Sequence, residues 1–307
     1  MAQALDKTQA VYYGQFVLAA YKMFDSPGAD PLRPEPAGIP DGYEVGAWIH
    51  MSDFCLGAEV PKFYGIVAHQ TGDKDPESRV IAIRGTEGAM EWLDDGDAVP
   101  IPFRQVPSAG RVACGFDRIY STLKVIKRRL PAETVAAQVG TAAALEPETF
   151  SGSFADQLEQ LALSREAARG VVPNAADGRG RPARPTVVTG HSLGSALTTL
   201  FVLENSSKNK FDISTTCTFA SPRVGNMEFV RTFNQLPVNS WRIVNTEDIV
   251  PKLPPKIPVL LDYDHVDNEY SFSSAGRAKK TLACSHAMET YLNWLDDTIA
   301  VRQDCKL

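Results

Sequence analysis

The sequence is short of residues and runs that several kinds of protein need. Its five cysteines, Cys55, Cys114, Cys217, Cys284 and Cys305, are odd in number, widely spaced and free of any C-x-x-C pair. That pattern argues against a disulfide framework or a zinc site and predicts buried free thiols, from which a cytoplasmic location follows. No apolar run reaches the ~18 residues of a membrane span. The opening MAQALDKTQ, followed by AVYYGQFVLAAYKMF, lacks the basic start and small-residue cleavage pattern of a signal peptide, so an amphipathic helix is expected there. Basic charge is not in excess either. The 31 Lys and Arg stand against 37 Asp and Glu, a net charge of −6, which argues against nucleic acid or a strongly anionic surface as the main partner. The one basic cluster, Arg179, Arg181 and Arg184, lies in ADGRGRPARP, where Gly and Pro indicate a solvated loop. Histidine is scarce as well, at five residues, and that scarcity narrows the search for a catalytic base.

With 307 residues and 44% hydrophobic content, the chain can bury a sizeable core, and a single α/β domain is expected. Residues 1–60 hold the N-terminal helix, a Pro-rich loop and a short strand near 45–50. KFYGIVAHQ and RVIAIRG then read as strands, the second apolar throughout 80–83 and therefore expected to be central and covered on both faces. Helical spacing follows over 115–130. Residues 131–184 form an Ala-rich insertion with helices over 133–145 and 154–169, either peripheral or a flap over a site. Beyond it come a strand and helix at 185–201, a strand in FDISTTCTFAS, a helix at 226–234, a strand in SWRIVN, a hairpin or edge strand within 262–272, and a helix over 286–301. This alternation predicts a mainly parallel sheet with helices on both faces.

The stretch PTVVTGHSLGSALTTLF contains G-x-S-x-G as Gly190-His191-Ser192-Leu193-Gly194. Glycines on both sides of a serine, between a strand and a helix, allow the sharp turn that lifts a hydroxyl above a sheet. Composition alone can produce five such residues, so the reading depends on partners. A serine hydroxyl needs an imidazole to take its proton and a carboxylate to orient that imidazole, in the order serine, acid, histidine on this kind of fold. His50 and His69 precede the serine and His191 adjoins it, which leaves His265 and His286. His286, in a loop next to a helix, is favoured as base, and His265 is assigned a structural role behind the site. The strand SWRIVN ends at Thr246-Glu247-Asp248, which offers two carboxylates where α/β sheets place catalytic groups. An oxyanion hole requires two donors. The backbone N–H of Leu193 is one, and Thr86 in RVIAIRGTEG, with a backbone N–H and a hydroxyl, is the other.

Seven ordered segments, VIAIRGTEGAMEWLDD, CGFDRIY, VVTGHSLGSALTTL, TFASPRVGN, RIVNTEDIVPKLPP, YDHVDNEY and SHAMETYLNWL, resemble the class 3 lipases, fungal-lipase-like α/β-hydrolases. The resemblance implies an α/β-hydrolase fold with Ser192 as nucleophile, Asp248 rather than Glu247 as acid, His286 as base, and Thr86 with Leu193 as oxyanion donors. It also implies that Trp92, Asp95 and His265 are framework residues, that no metal or cofactor takes part, and that the partner is an acyl ester or lipid met at a micelle or membrane surface. The sequence departs from the family in having Ser195 where a second glycine is usual. Its insertion at 131–184 is longer than the usual connection, and residues 87–95, where secreted members carry a lid, are acidic.

Overall fold

The computed structural model describes residues 5–53, 60–72, 77–86, 98–128, 148–170, 184–257, 262–266 and 268–307. The expectations for Cys55, the 87–95 loop with Trp92 and Asp95, the helix at 133–145, and Arg179 and Arg181 lie outside those residues. Helix α1 (Lys7–Asp25) opens the fold. Asp6 caps it by accepting a hydrogen bond from the Gln9 N–H, and Phe16, Val17, Ala20 and Met23 form its buried side. Strands β1 (Tyr43–Asp53) and β2 (Val60–Gln70) follow as a long antiparallel pair, and β2 pairs antiparallel with β3 (Arg79–Ile83).

From β3 onward the main sheet is parallel. The register runs from β3 to β7 (Pro185–His191), to β8 (Asp212–Phe219), to β10 (Asn239–Asn245) and to the edge strand β12 (Glu269–Phe272). At the other edge, β6 (Lys124–Lys127) pairs with β1, which completes eight strands in the order β12-β10-β8-β7-β3-β2-β1-β6. A separate four-stranded sheet joins β4 (Pro100–Pro102), β5 (Arg111–Ala113), β9 (Gly225–Asn226) and β11 (Tyr263–Asp264).

The apolar run in β3 serves two cores, because successive side chains leave opposite faces of a strand. Val80 and Ala82 belong to one core together with residues of α1 and of α7 (Met288–Leu295). Ile81 and Ile83 belong to the other core, with residues of α2 (Cys114–Ser121), α3 (Phe154–Ala168), α4 (Leu193–Lys208) and α5 (Met227–Asn234). Both faces are therefore covered, as the uninterrupted pattern required.

Several expectations are corrected. The helix expected over 115–130 stops at Ser121, and the β-branched pair Val125 and Ile126 forms an edge strand instead. Of the two readings of 262–272 the hairpin fails, since Tyr263–Asp264 and Glu269–Phe272 join different sheets, and the edge strand holds, since Glu269–Phe272 ends the main sheet. The last helix is two pieces, α6 (Leu282–His286) and α7, with an extended Ala287 between them.

The described helix of the insertion is neither peripheral nor a flap. Ser153 and Asp156 form a reciprocal capping box at its start. Phe154, Leu158 and Leu161 are at most 2% exposed, and each such burial contributes about 1.5–3 kcal/mol. Gln157 donates to the Leu123 and Gly152 carbonyls and accepts from the Val125 N–H, which stitches the helix to the edge of the sheet.

The expectation of buried free thiols holds for Cys217, holds in part for Cys114, which is free but half-buried, and fails for Cys284 and Cys305, which form a disulfide. They are 21 residues apart in sequence, a spacing with no signature, and the fold of the C-terminal tail brings their Cα atoms to 5.3 Å. The argument from free thiols to a cytoplasmic location loses that ground.

Candidate active site

The turn between β7 and α4 places Ser192 at φ 58° and ψ −127°, a backbone conformation that side chains other than glycine rarely adopt. Its neighbours hold it there. A Cβ on Gly190 would lie 2.4 Å from the Gly194 carbonyl oxygen, and one on Gly194 would lie 2.2 Å from the Ile83 carbonyl oxygen, so neither position admits a side chain. The Ser192 N–H donates to the Phe219 carbonyl at 2.9 Å. Ser195 accounts for the departure from glycine noted in the sequence. Its Oγ shares its hydrogen between the Gly190 and Phe219 carbonyls, both at 2.8 Å, and so clamps the turn to two adjacent strands.

Asp248 follows the carboxyl end of β10 and is completely buried. Its Oδ2 accepts from His286 Nδ1 at 2.7 Å and from the Tyr291 hydroxyl at 2.8 Å, while Oδ1 accepts from the Val250 N–H at 3.0 Å. Burial, reinforced by the Asp248 charge, pushes the Tyr291 hydroxyl well above its ordinary pKa, which keeps it a donor. A carboxylate only accepts, so His286 carries its hydrogen on Nδ1 and presents Nε2 bare to receive a proton. Among the described residues neither His286 Nε2 nor Ser192 Oγ, both buried, has a hydrogen-bond partner. The acid–base contact is closed, and the base–nucleophile contact is open, a bond that in hydrolases tightens as substrate docks.

The rival candidates fall elsewhere. Glu247 is exposed and accepts from the Ser273 hydroxyl. His265 Nε2 donates to the Pro251 carbonyl at 2.7 Å, bracing the turn that follows Asp248. Burial, with Arg242 nearby, pushes its pKa down to about 3, so it stays neutral. Asn245 joins the acid loop to the base loop by donating to the Ser285 carbonyl at 2.8 Å and the Ser274 hydroxyl at 2.9 Å.

The oxyanion candidates leave the sheet together. Ile83 on β3 is in register with Gly190 on β7, and Thr86 and Leu193 each stand three residues further on. Leu193 is the first residue of α4, so its N–H has no acceptor within the helix and lies at the positive end of the helix dipole. Sequence reasoning missed Tyr291 and Tyr21. Tyr291 lies five residues after His286 and reads as a core aromatic, and Tyr21 has no local signal at all.

A family model described as Lipase (class 3) matches residues 80–257, more than half the chain and the whole span from the oxyanion strand to beyond the acid. The chain belongs to the class 3 lipase family. Among curated relatives, phospholipase A(1) DAD1 of Arabidopsis thaliana is 24% identical over 295 residues, covering 85% of this chain and 58% of that one. The secreted mono- and diacylglycerol lipase 1 of Fusarium solani is 24% identical over 260 residues, covering 84% and 61%. The chain thus spans less than two thirds of the length of either relative. Among solved structures, the Rhizomucor miehei lipase in complex with its propeptide aligns at TM-score 0.55 and 20% identity over 94% of this chain and 78% of that one. A triacylglycerol lipase whose catalytic centre is a serine protease triad aligns at TM-score 0.53 and 20% identity, covering 88% and 81%. These likenesses identify the α/β-hydrolase fold.

Proposed function

We propose that this class 3 lipase family member is a serine carboxylester hydrolase that cleaves acyl esters of lipids through an acyl-enzyme. The observation that carries the reading is the buried His286–Asp248 pair at 2.7 Å, which leaves Nε2 bare, while Ser192 in its strained turn directly follows His191, whose ring lies 4.6 Å from that of His286. Ser192 Oγ attacks the ester carbonyl while His286 Nε2 takes its proton, and the positive imidazolium is balanced by Asp248. The tetrahedral oxyanion is stabilised by the N–H of Leu193 and by Thr86. His286 then returns the proton to the departing alcohol. Water, activated by the same imidazole, attacks the acyl-enzyme and releases the fatty acid.

Phospholipids and mono- or diacylglycerols, the substrates named in the relatives above, share the acyl ester that this chemistry needs. The partner of this site is then an acyl ester or lipid, met at a micelle or membrane surface. Among the described residues no helix is long and apolar enough to cross a membrane. A fluorophosphonate probe tests the reading: Ser192 should be labelled in the wild type and nothing in Ser192→Ala. Folded wild-type protein that takes no label would refute it. Hydrolysis of p-nitrophenyl esters of increasing chain length, with and without micelles, then separates a lipid substrate from a small soluble ester.

A further inference from the structure

His191 adjoins the nucleophile but faces away from the reacting atoms. Its Nε2 lies 2.8 Å from the His286 carbonyl oxygen, and its Nδ1 lies 2.8 Å from the Tyr21 hydroxyl. That hydroxyl also meets the Gly85 N–H at 2.7 Å. Every proton in this chain of groups is fixed by its ends. A backbone N–H only donates, so the Tyr21 oxygen accepts from Gly85. A carbonyl only accepts, so His191 carries its hydrogen on Nε2. The neutral ring then has a bare Nδ1, and the Tyr21 hydroxyl donates to it.

From this we infer that Tyr21 and His191 are positioning residues, a relay of fixed polarity that registers the oxyanion loop against the backbone of the catalytic base. The inference rests on the hydrolase reading above and extends it to a helix that precedes residues 80–257, the span of the family match. Gly85 immediately precedes the oxyanion donor Thr86. A Cβ on Gly85 would lie 2.7 Å from both Ser192 Cβ and the Tyr21 hydroxyl, so this loop is pressed between the two. His191 grips His286 by its carbonyl, while Asp248 grips the same residue by its ring. The two holds together fix the imidazole in position and in orientation. A protonated His191 would turn a donor toward an oxygen that already accepts from Gly85, and would leave the Tyr21 hydroxyl hydrogen without its acceptor. Burial and the nearby His286 oppose that state by pushing the His191 pKa well below its ordinary value.

Tyr21→Phe removes both bonds of the hydroxyl. His191→Gln keeps a donor for the His286 carbonyl but not the acceptor for Tyr21. With p-nitrophenyl butyrate, kcat should fall about 10- to 100-fold in Tyr21→Phe and less in His191→Gln, with KM within about two-fold of wild type. The double variant should be no worse than Tyr21→Phe alone, because the two residues act as one unit. Folded variants with wild-type kcat, or losses that multiply in the double variant, would overturn the inference. If a variant fails to fold, two-bond proton–nitrogen correlation on wild-type protein carrying ¹⁵N-histidine decides. A neutral His191 with its hydrogen on Nε2 from about pH 8 to about pH 5 supports the relay, and an Nδ1–H form or a ring that titrates in that range overturns it. The spectrum does not depend on turnover. A wild type that hydrolyses no ester and takes no fluorophosphonate would therefore refute the function while leaving the relay to be judged separately.

Discussion

Replacing both Cys284 and Cys305 with alanine should cost stability and spare catalysis, although the bridge ends two residues from the base. The disulfide closes a segment of 21 residues. By loop-closure entropy, that constraint on the unfolded chain is worth about 3 kcal/mol. For a chain of this size about 3 kcal/mol corresponds to a fall in Tm of roughly 5–10 °C. Catalysis is spared because other bonds hold the same backbone. Thr281 Oγ1 accepts from the Cys284 N–H at 3.2 Å, and Thr290 Oγ1 donates to the Cys284 carbonyl at 2.7 Å. Asn245 holds the Ser285 carbonyl and His191 the His286 carbonyl, each at 2.8 Å. At about 1 kcal/mol net for each bond, these four together exceed thermal energy several-fold. The assay is urea unfolding of the double variant beside kcat for p-nitrophenyl butyrate at 25 °C. The unfolding midpoint should fall while kcat stays within about two-fold of wild type. A loss of turnover above about ten-fold with an unmoved midpoint would refute the reasoning and make the bridge the element that positions His286. Alkylation of the unreduced, unfolded wild type should modify Cys114 and Cys217 and leave Cys284 and Cys305 unmodified.

Tyr291→Phe removes a hydroxyl donor to the buried Asp248 carboxylate. Stability should drop by about 1.5–3 kcal/mol, as for other hydrogen bonds to charged groups, with kcat about ten-fold lower because the carboxylate is less firmly held. Denaturant unfolding and steady-state kinetics check both, and unchanged stability would show that the bond contributes nothing. His265 gives a pH prediction. Its folded pKa is pushed down to about 3, whereas the unfolded chain takes up that proton near the ordinary histidine value of about 6.5. The stabilisation is therefore complete above about pH 6.5 and lost as pH falls toward about 3, by up to roughly 1.4 kcal/mol per pH unit. His265→Gln retains a donor for the Pro251 carbonyl and cannot titrate, so its stability should fall less steeply with acid between about pH 6 and about pH 4. Parallel curves for variant and wild type would count against the assignment.

The parts of the site that local sequence controls were legible, and those that distance controls were not. Gly190 and Gly194 announce a turn around Ser192 because a Cβ at either would overlap neighbouring backbone. A strand end narrowed the acid to Glu247 or Asp248, the family resemblance favoured Asp248, and a short roll of histidines left few choices of base. Glu247 and Asp248 looked alike in sequence, and only the path of the chain after β10 turns one to solvent and the other to His286. Val125 and Ile126 continue a helical spacing that begins at Phe116, and pairing with β1 overrides it. Tyr21 is 170 residues from His191, and no pattern along the chain could have joined them. The insertion helix misled for a related reason. Its Ala-rich composition suggests a peripheral element, yet Gln157 gives both faces of its amide to the backbone of the sheet edge.

His286 is held at two points, its ring and its carbonyl, and the carboxylate that holds the ring is itself held. Asp248 accepts its Nδ1 hydrogen, Tyr291 and the Val250 N–H fix that carboxylate in turn, and His191 holds the carbonyl behind the ring. Each contact has a single allowed polarity, so the imidazole cannot exchange tautomers without breaking a buried bond, which would leave a group unsatisfied at about 1–3 kcal/mol. Among the described residues the atom those bonds leave without a partner is Nε2, and the Ser192 hydroxyl is also without one. In the proposed mechanism the surrounding network thus determines which nitrogen acts as base before an ester arrives, and only the serine proton is left to move.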